Sequence, residues 1–343
     1  MGAAAEWHAF LDEFRALGGR AENVMQRKGK FGMGIFPIDP SKPVDLFVPN
    51  TLLVRTDNVE LQDGNLAIKD NQKYSQQYSD WFKKYQDTYS WGAEGKKNIF
   101  DFEKGFKELP DDIKNLLKLY GLYNPERRFP EKEPDKEILE RFIMTRCINY
   151  NKENVIMPII DLINHSPSEK TYEINDAGIS VSGTYDGEVL VRYNWNDPLR
   201  RLIGYGFNAI EPLGFSIRCR IQHKDLTVIV QGGQSDNPFK PCQISFKDGR
   251  LFIQQPLLGS LRTPKMPRTL FLQACKNVKE INADELFDQI HYFNKIALIK
   301  IIRESQEIES QAATLLRIGC LNQIEAQSNY YGLRDDLLKK ELP

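Results

Sequence analysis

The sequence predicts an α+β protein, and three observations carry that prediction. Apolar residues recur at helical spacing near both ends of the chain. Alternating stretches around Asp186-Gly187 and Asp248-Gly249 read as hairpins. Between two β-like regions lies a stretch rich in Lys, Glu, Tyr and Phe, with few β-branched runs.

Trp7, Phe10, Leu11, Phe14 and Leu17 make an amphipathic opening helix, stopped by Gly18-Gly19. A small β region follows: Val24 to Met25, the glycine-bearing turn from Lys28 to Phe36, and the short buried strand Leu46-Phe47-Val48-Pro49. From about Tyr74 to Arg141 the texture is helical. Pro110-Asp111-Asp112 opens a helix, with proline in the first turn and carboxylates at the positive end of the dipole; Leu116, Leu117 and Leu119 lie inside it and Gly121 can end it. Arg127 to Pro134 reads as a solvated linker, and Ile138, Leu139, Phe142, Ile143 and Cys147 mark a further helix. Ile179 and Val181, with Val189, Val191 and Tyr193, flank Asp186-Gly187 as one hairpin. Gln243 to Lys247 and Arg250 to Gln254 flank Asp248-Gly249 as another, and Leu226 to Val230 is a strand. Leu286, Ile290, Phe293, Ala297, Ile301, Ile308, Ala312 and Leu315 form one stripe on long C-terminal helices, read as core with an assembly surface as the rival.

At 343 residues and 41% hydrophobic content the chain can bury a sizeable core in two domains, or in one with a large insertion. With 46 basic against 47 acidic residues, bulk electrostatics offer no basis for nucleic-acid binding. The longest apolar run, Val155 to Ile163, is far too short for a membrane span and contains Pro158. The opening residues have no basic start followed by an apolar core, so no secretory signal is expected, and Glu6 speaks against myristoylation at Gly2. The five cysteines are odd in number and scattered, without C-x-x-C. They read as free thiols of a reducing, cytoplasmic setting, and no metal-ligand spacing is present among Cys and His.

Three constellations could carry chemistry. Gly32 and Gly34 let backbone approach a ligand, although a lone G-x-G equally punctuates a tight turn. Asn164-His165 offers amide and imidazole groups to a polar cofactor, or starts a loop with a satisfied core histidine. Tyr193 and Tyr205 are each ordinary strand packing taken singly, but two phenols together can line a channel for an amine.

The ordered combination narrows this. The glycine turn from Lys28 to Phe36, Leu46-Phe47-Val48-Pro49, a helical insert and Phe142-Ile143-Met144-Thr145-Arg146 precede Pro158 to His165, Gly187-Glu188-Val189, Tyr193 and Tyr205-Gly206-Phe207. That order, over roughly residues 20 to 210, resembles the SET-domain branch of protein methyltransferases typified by the Rubisco large-subunit methyltransferase. The resemblance implies a SET β-fold with a pseudoknot and a helical insert over about 67–141, hence domains of 1–215 and 216–343. The latter would be a β-plus-helical substrate-binding or interaction domain. It implies S-adenosyl-L-methionine as cofactor, with the backbone of Phe31, Gly32, Met33 and Gly34 cradling it and Asn164 and His165 holding its amino and adenine side. Arg146 and Tyr193 would complete that site. Tyr193 and Tyr205 would be catalytic, and Thr145, Tyr205 and Phe207 would wall the substrate channel. The implied reaction is methyl transfer to a lysine of a non-histone protein. The alternatives are a protein-histidine methyltransferase, or a catalytically inactive SET-fold binding protein or scaffold. Three departures from the branch stand out: Asn194 where it has glycine after Tyr193, Pro198 where it has asparagine, and β rather than helix over Ser216 to Leu258.

Overall fold

A computed structural model describes residues 3–69, 73–123, 134–233, 237–279 and 281–335. Gly2, the chain beyond 335 and, but for Pro134, the linker expected over 127–134 lie outside the described residues. The chain is α+β and divides into two compact units. One is Met1–Asp101 with Pro130–Tyr193; the other is Phe102–Phe129 with Asn194–Pro343. The division therefore falls at Tyr193/Asn194 rather than near 215, and the expected helical insert is shared between the units.

In the first unit the opening helix Ala3–Ala16 buries Trp7, Phe10, Leu11 and Phe14. Their partner is the helix Gln76–Tyr89, started by Ser75, whose side chain accepts from the Tyr78 N–H at 3.2 Å. Phe10 stacks on Trp81 with ring centroids 4.8 Å apart, and Trp81 on Tyr85 at 5.6 Å. The insert's helices begin only here, because Ala67 sits in a strand, Asn65–Ile68, paired with Val59–Gln62.

Four antiparallel strands form the unit's larger sheet, in the order Arg20–Glu22, Val44–Pro49, Gly178–Gly183, Glu173–Asn175. The hairpin expected around Asp186-Gly187 does not form. Ile179 and Val181 pair instead with Val48 and Leu46, all four side chains being buried, while Leu190–Val191 pairs in parallel with Asn164–His165. A fully buried apolar partner outweighs the local turn signal, since strand stability comes from cross-strand packing.

In the second unit the stripe along Ala283–Glu304 and Gln311–Ser328 is core. Leu298, Ile301, Ala313 and Leu316 cluster with Ile113 and Leu117 of Asp111–Leu119 and with Leu199 and Leu202 of Pro198–Tyr205. A mixed sheet, Cys219–His223, Leu226–Gln231, Arg250–Gln254, Gln243–Lys247, packs Val228, Val230, Leu251 and Ile253 against Phe271, Leu286 and Ile290. The Asp248-Gly249 hairpin forms as expected, with both turn residues at positive φ (52° and 68°) and Lys247 opposite Arg250. No described helix is long and apolar enough to cross a membrane.

Candidate active site

The glycine turn is a hairpin, Val24–Gly29 against Gly32–Pro37, and its two later glycines do different work. Gly32 takes φ 95°, which closes the turn after Lys30-Phe31. Gly34 needs no unusual φ; it needs an absent side chain. A Cβ there would lie 2.2 Å from Glu188 Oε1 and 2.8 Å from Asn164 Nδ2. The side chains of Phe31 and Met33 are exposed.

Asn164 reaches this backbone through a loop with an uncommon conformation. Ile159, fully buried, sits at φ 71° and ψ −48°, close to a γ-turn that β-branched residues avoid. Strain of this kind costs on the order of 1–3 kcal/mol and persists where surrounding packing enforces it, commonly at functional sites. The 3-10 turn Ile160–Leu162 follows, then Asn164–His165. Asn164 Nδ2 donates to the Met33 carbonyl at 3.1 Å and to Glu188 Oε1 at 2.6 Å. Burial pushes the Glu188 carboxyl above its ordinary value, against the Asn164 hydrogen bond and the charge of Arg27.

His165 is almost wholly buried, and its Nδ1 accepts from the backbone N–H of Tyr193 at 3.2 Å. The two rings lie 5.1 Å apart. The Tyr193 hydroxyl donates to the Ile163 carbonyl at 2.7 Å. His165 of the parallel strand pair, Ile163 just before it and the tyrosine beyond its partner strand are thus tied to one another.

Arg146 acts on the same loop from behind. It donates to the backbone carbonyl of Asp161 at 2.9 Å, with the Asp161 carboxylate at 3.8 Å. Asp161 also accepts from Tyr85 and, at 3.4 Å, from Ser90. Burial pushes its carboxyl up to about 6, against the opposing pull of Arg146 and those hydroxyls. Thr145 spends its hydroxyl on the Phe142 carbonyl of its own helix, at 2.8 Å.

Tyr205 and Phe207 belong to the second unit, with ring centroids 6.2 Å apart. Tyr205 ends the helix Pro198–Tyr205, and Gly206 follows at φ 84° as its left-handed cap. The Tyr205 oxygen accepts from Asn194 Nδ2 at 3.1 Å, and Asn194 Oδ1 accepts from Arg201 at 2.9 Å. Arg201 stacks over the Tyr205 ring at 4.7 Å and donates to Glu211 at 2.6 Å; both charged side chains are buried. The departures at Asn194 and Pro198 have local explanations here. Asn194 joins this network, and Pro198 is the first helical residue behind Asp197, whose side chain caps the helix.

Of the residues the resemblance assigns to the cofactor site, Phe31, Gly32, Met33, Gly34, Arg146, Asn164, His165 and Tyr193 all belong to the first unit, where Asn164 meets Met33 and His165 meets Tyr193, while the channel residues Tyr205 and Phe207 belong to the second. Sequence reasoning missed Glu188, Asp161 and Tyr85. Alternation of Val189, Val191 and Tyr193 in the sequence sets Glu188 out of phase with them, but the residue itself lies in the bend before the strand Leu190–Val191.

No protein-family model matches the sequence, and no curated protein does. Among solved structures the chain is similar to the SET domain of LSMT bound to lysine and AdoHcy. That match has 13% identity and a TM-score of 0.40, over 100% of this chain and 94% of the other. It is also similar to the same SET domain bound to methyllysine and AdoHcy, at 15% identity and a TM-score of 0.42 with the same coverage. At such distance the functional reading rests on the residues of this chain.

Proposed function

We propose that this chain is a SET-type protein methyltransferase that uses S-adenosyl-L-methionine to methylate a lysine side chain of a non-histone protein. The observation that carries the reading is the convergence of Gly34, Asn164, His165 and Tyr193 in one unit, in the order the family resemblance requires. The residues suit the cofactor. The bare Gly34 lets Glu188 and Asn164 close on the strand, and Asn164 keeps its carbonyl oxygen for a ligand after both amide N–H bonds are spent. The expected channel roles of Tyr205 and Phe207 rest on sequence order. Buried free thiols agree with a reducing, cytoplasmic setting.

When bound, S-adenosylmethionine supplies an electrophilic methyl group on a sulfonium. The chain's task is to present a neutral amine to it. A lysine ordinarily titrates near ~10.4, so the site must strip its proton, and an apolar, aromatic surrounding favours the uncharged form. Tyr193 has committed its proton to the Ile163 carbonyl, so towards an amine its oxygen acts as acceptor, taking an N–H and setting the direction of the nitrogen lone pair. His165 fixes the backbone of Tyr193, and Arg146 fixes the loop that brings Ile163 and Asn164. Alignment of this kind accounts for up to about 7–11 kcal/mol in well-oriented reactions.

A second reading, a ligand-binding protein of this fold without turnover, is favoured by the two tyrosine hydroxyls each having a partner within the chain. Incubating the chain with methyl-labelled cofactor and cell extract separates the two. Label on lysines of extract proteins, lost with Tyr193→Phe, supports the enzyme. Label on histidines redirects the substrate, and cofactor binding without label on any protein supports the binder.

A further inference from the structure

The tip of the glycine hairpin, Val24–Gly29 against Gly32–Pro37, concentrates one sign of charge. Arg27, Lys28 and Lys30 are exposed, and no Asp or Glu occurs between Asn23 and Ile38. The chain as a whole is balanced, with 46 basic against 47 acidic residues, so the bias is local. Glu188 approaches the hairpin at Gly29 and Gly34, and the charge it meets there is that of Arg27. Arg27 is also held over the Phe36 ring, 4.1 Å from its centre. Lys28 and Lys30 form no ion pair among the described residues.

Each of these two lysines stands beside an exposed apolar side chain. Lys28 lies directly opposite Met33 in the antiparallel pair, so the two share a face. Lys30 Nζ is 5.5 Å from the centre of the Phe31 ring. Met33 and Phe31 are 38% and 51% exposed, leaving apolar area for a partner to cover. The tip thus offers two cation–apolar pairs, and their complement is an acidic segment with apolar residues interleaved. Nucleic acids and anionic membranes fit less well. Strongly salt-dependent nucleic-acid binders make about 6–10 phosphate contacts, and lipid-surface motifs carry about 4–8 clustered cations. Three cations, one of them facing Glu188, fall short of both. Met33 adjoins Gly34, and Lys30 lies four residues before it, at most about 14 Å of extended chain.

Resting on the methyltransferase reading, we infer that the Lys28–Met33 tip is a docking surface for the protein substrate, selecting an acidic, apolar-interleaved segment close to the target lysine.

The test is fluorescence anisotropy of the full chain, without cofactor, against a labelled synthetic peptide in which Glu and Leu alternate beside one lysine. Control peptides carry Gln or Arg in place of Glu. The inference expects the natural chain to favour the Glu peptide over the Gln peptide by about fivefold or more at low salt, a preference that fades as salt rises. The double variant Lys28→Glu/Lys30→Glu should reverse the order and favour the Arg peptide. This swap separates docking from misfolding, because a damaged chain gains no new preference. Equal affinity for the Glu and Gln peptides in the natural chain, or the same preference in the double variant, overturns the inference. Tighter binding of single-stranded RNA or of phosphatidylserine vesicles than of the Glu peptide, lost in the double variant, also overturns it and assigns the tip to phosphate. Methyl transfer to extract proteins without any charge preference removes this inference and leaves the methyltransferase reading. Charge-dependent peptide binding by a chain that transfers no methyl keeps the docking surface and removes that reading.

Discussion

The backbone N–H of Tyr193 donates to Nδ1 of His165 at 3.2 Å, so the histidine of the Asn-His pair positions the tyrosine that follows the next strand. The bond holds the ring in the tautomer with its proton on Nε2. It also ties the parallel pair Asn164–His165 and Leu190–Val191 to the residue just beyond it.

Replacing His165 with Ala leaves a partly buried N–H without its acceptor, and the cost should be about 1–3 kcal/mol by urea denaturation. Tyr193→Phe removes the hydrogen bond to Ile163, a loss of about 0.5–1.5 kcal/mol, yet it should lower methyl transfer at least tenfold with cofactor affinity nearly unchanged. Equal losses in transfer and affinity would make Tyr193 a structural residue.

Asp161 gives a pH dependence with a definite sign. Burial raises its carboxyl from 3.8 to about 6, so its favourable contribution is complete below the unfolded value and is lost as pH rises through the folded one. Asp161→Asn removes that titration. Between pH 4 and pH 7 the variant should gain on the natural chain by about 2 kcal/mol in unfolding free energy. A gap independent of pH would mean that the carboxylate is compensated by Arg146.

Arg201 and Glu211 form a buried ion pair at 2.6 Å, and Tyr205 rests under the guanidinium. Glu211→Gln leaves Arg201 charged and buried without its counter-ion, at a cost of about 3–5 kcal/mol. Thermal unfolding followed by circular dichroism reads this directly. A shift as small as that of an exposed pair, under about 1 kcal/mol, would contradict the burial.

Local chemistry was legible in the sequence wherever partners are close along the chain. The Asp248-Gly249 hairpin, the helix behind Pro110 and the stripe from Leu286 to Leu315 follow from turn residues, proline placement and period alone. The Asp186-Gly187 hairpin was misread because its first strand found a better partner far back in the chain, Val44–Pro49. The order of Gly34, Asn164, His165 and Tyr193 gave the shape of the site by resemblance. The roles of its supporting carboxylates were not legible. Asp161 depends on Tyr85 and Arg146 across long separations, and Glu188 is one of 47 acidic residues, placed by a bend against Asn164.

Gly34→Ala tests the central claim most directly, with binding of S-adenosylhomocysteine measured by calorimetry beside the natural chain. The added methyl would meet Glu188 Oε1 and Asn164 Nδ2 without imposing an unfavourable φ. The account predicts saturable one-to-one binding to the natural chain and at least a tenfold loss in the variant, with secondary structure unchanged. Equal binding by both chains, or none by either at millimolar ligand, would contradict it.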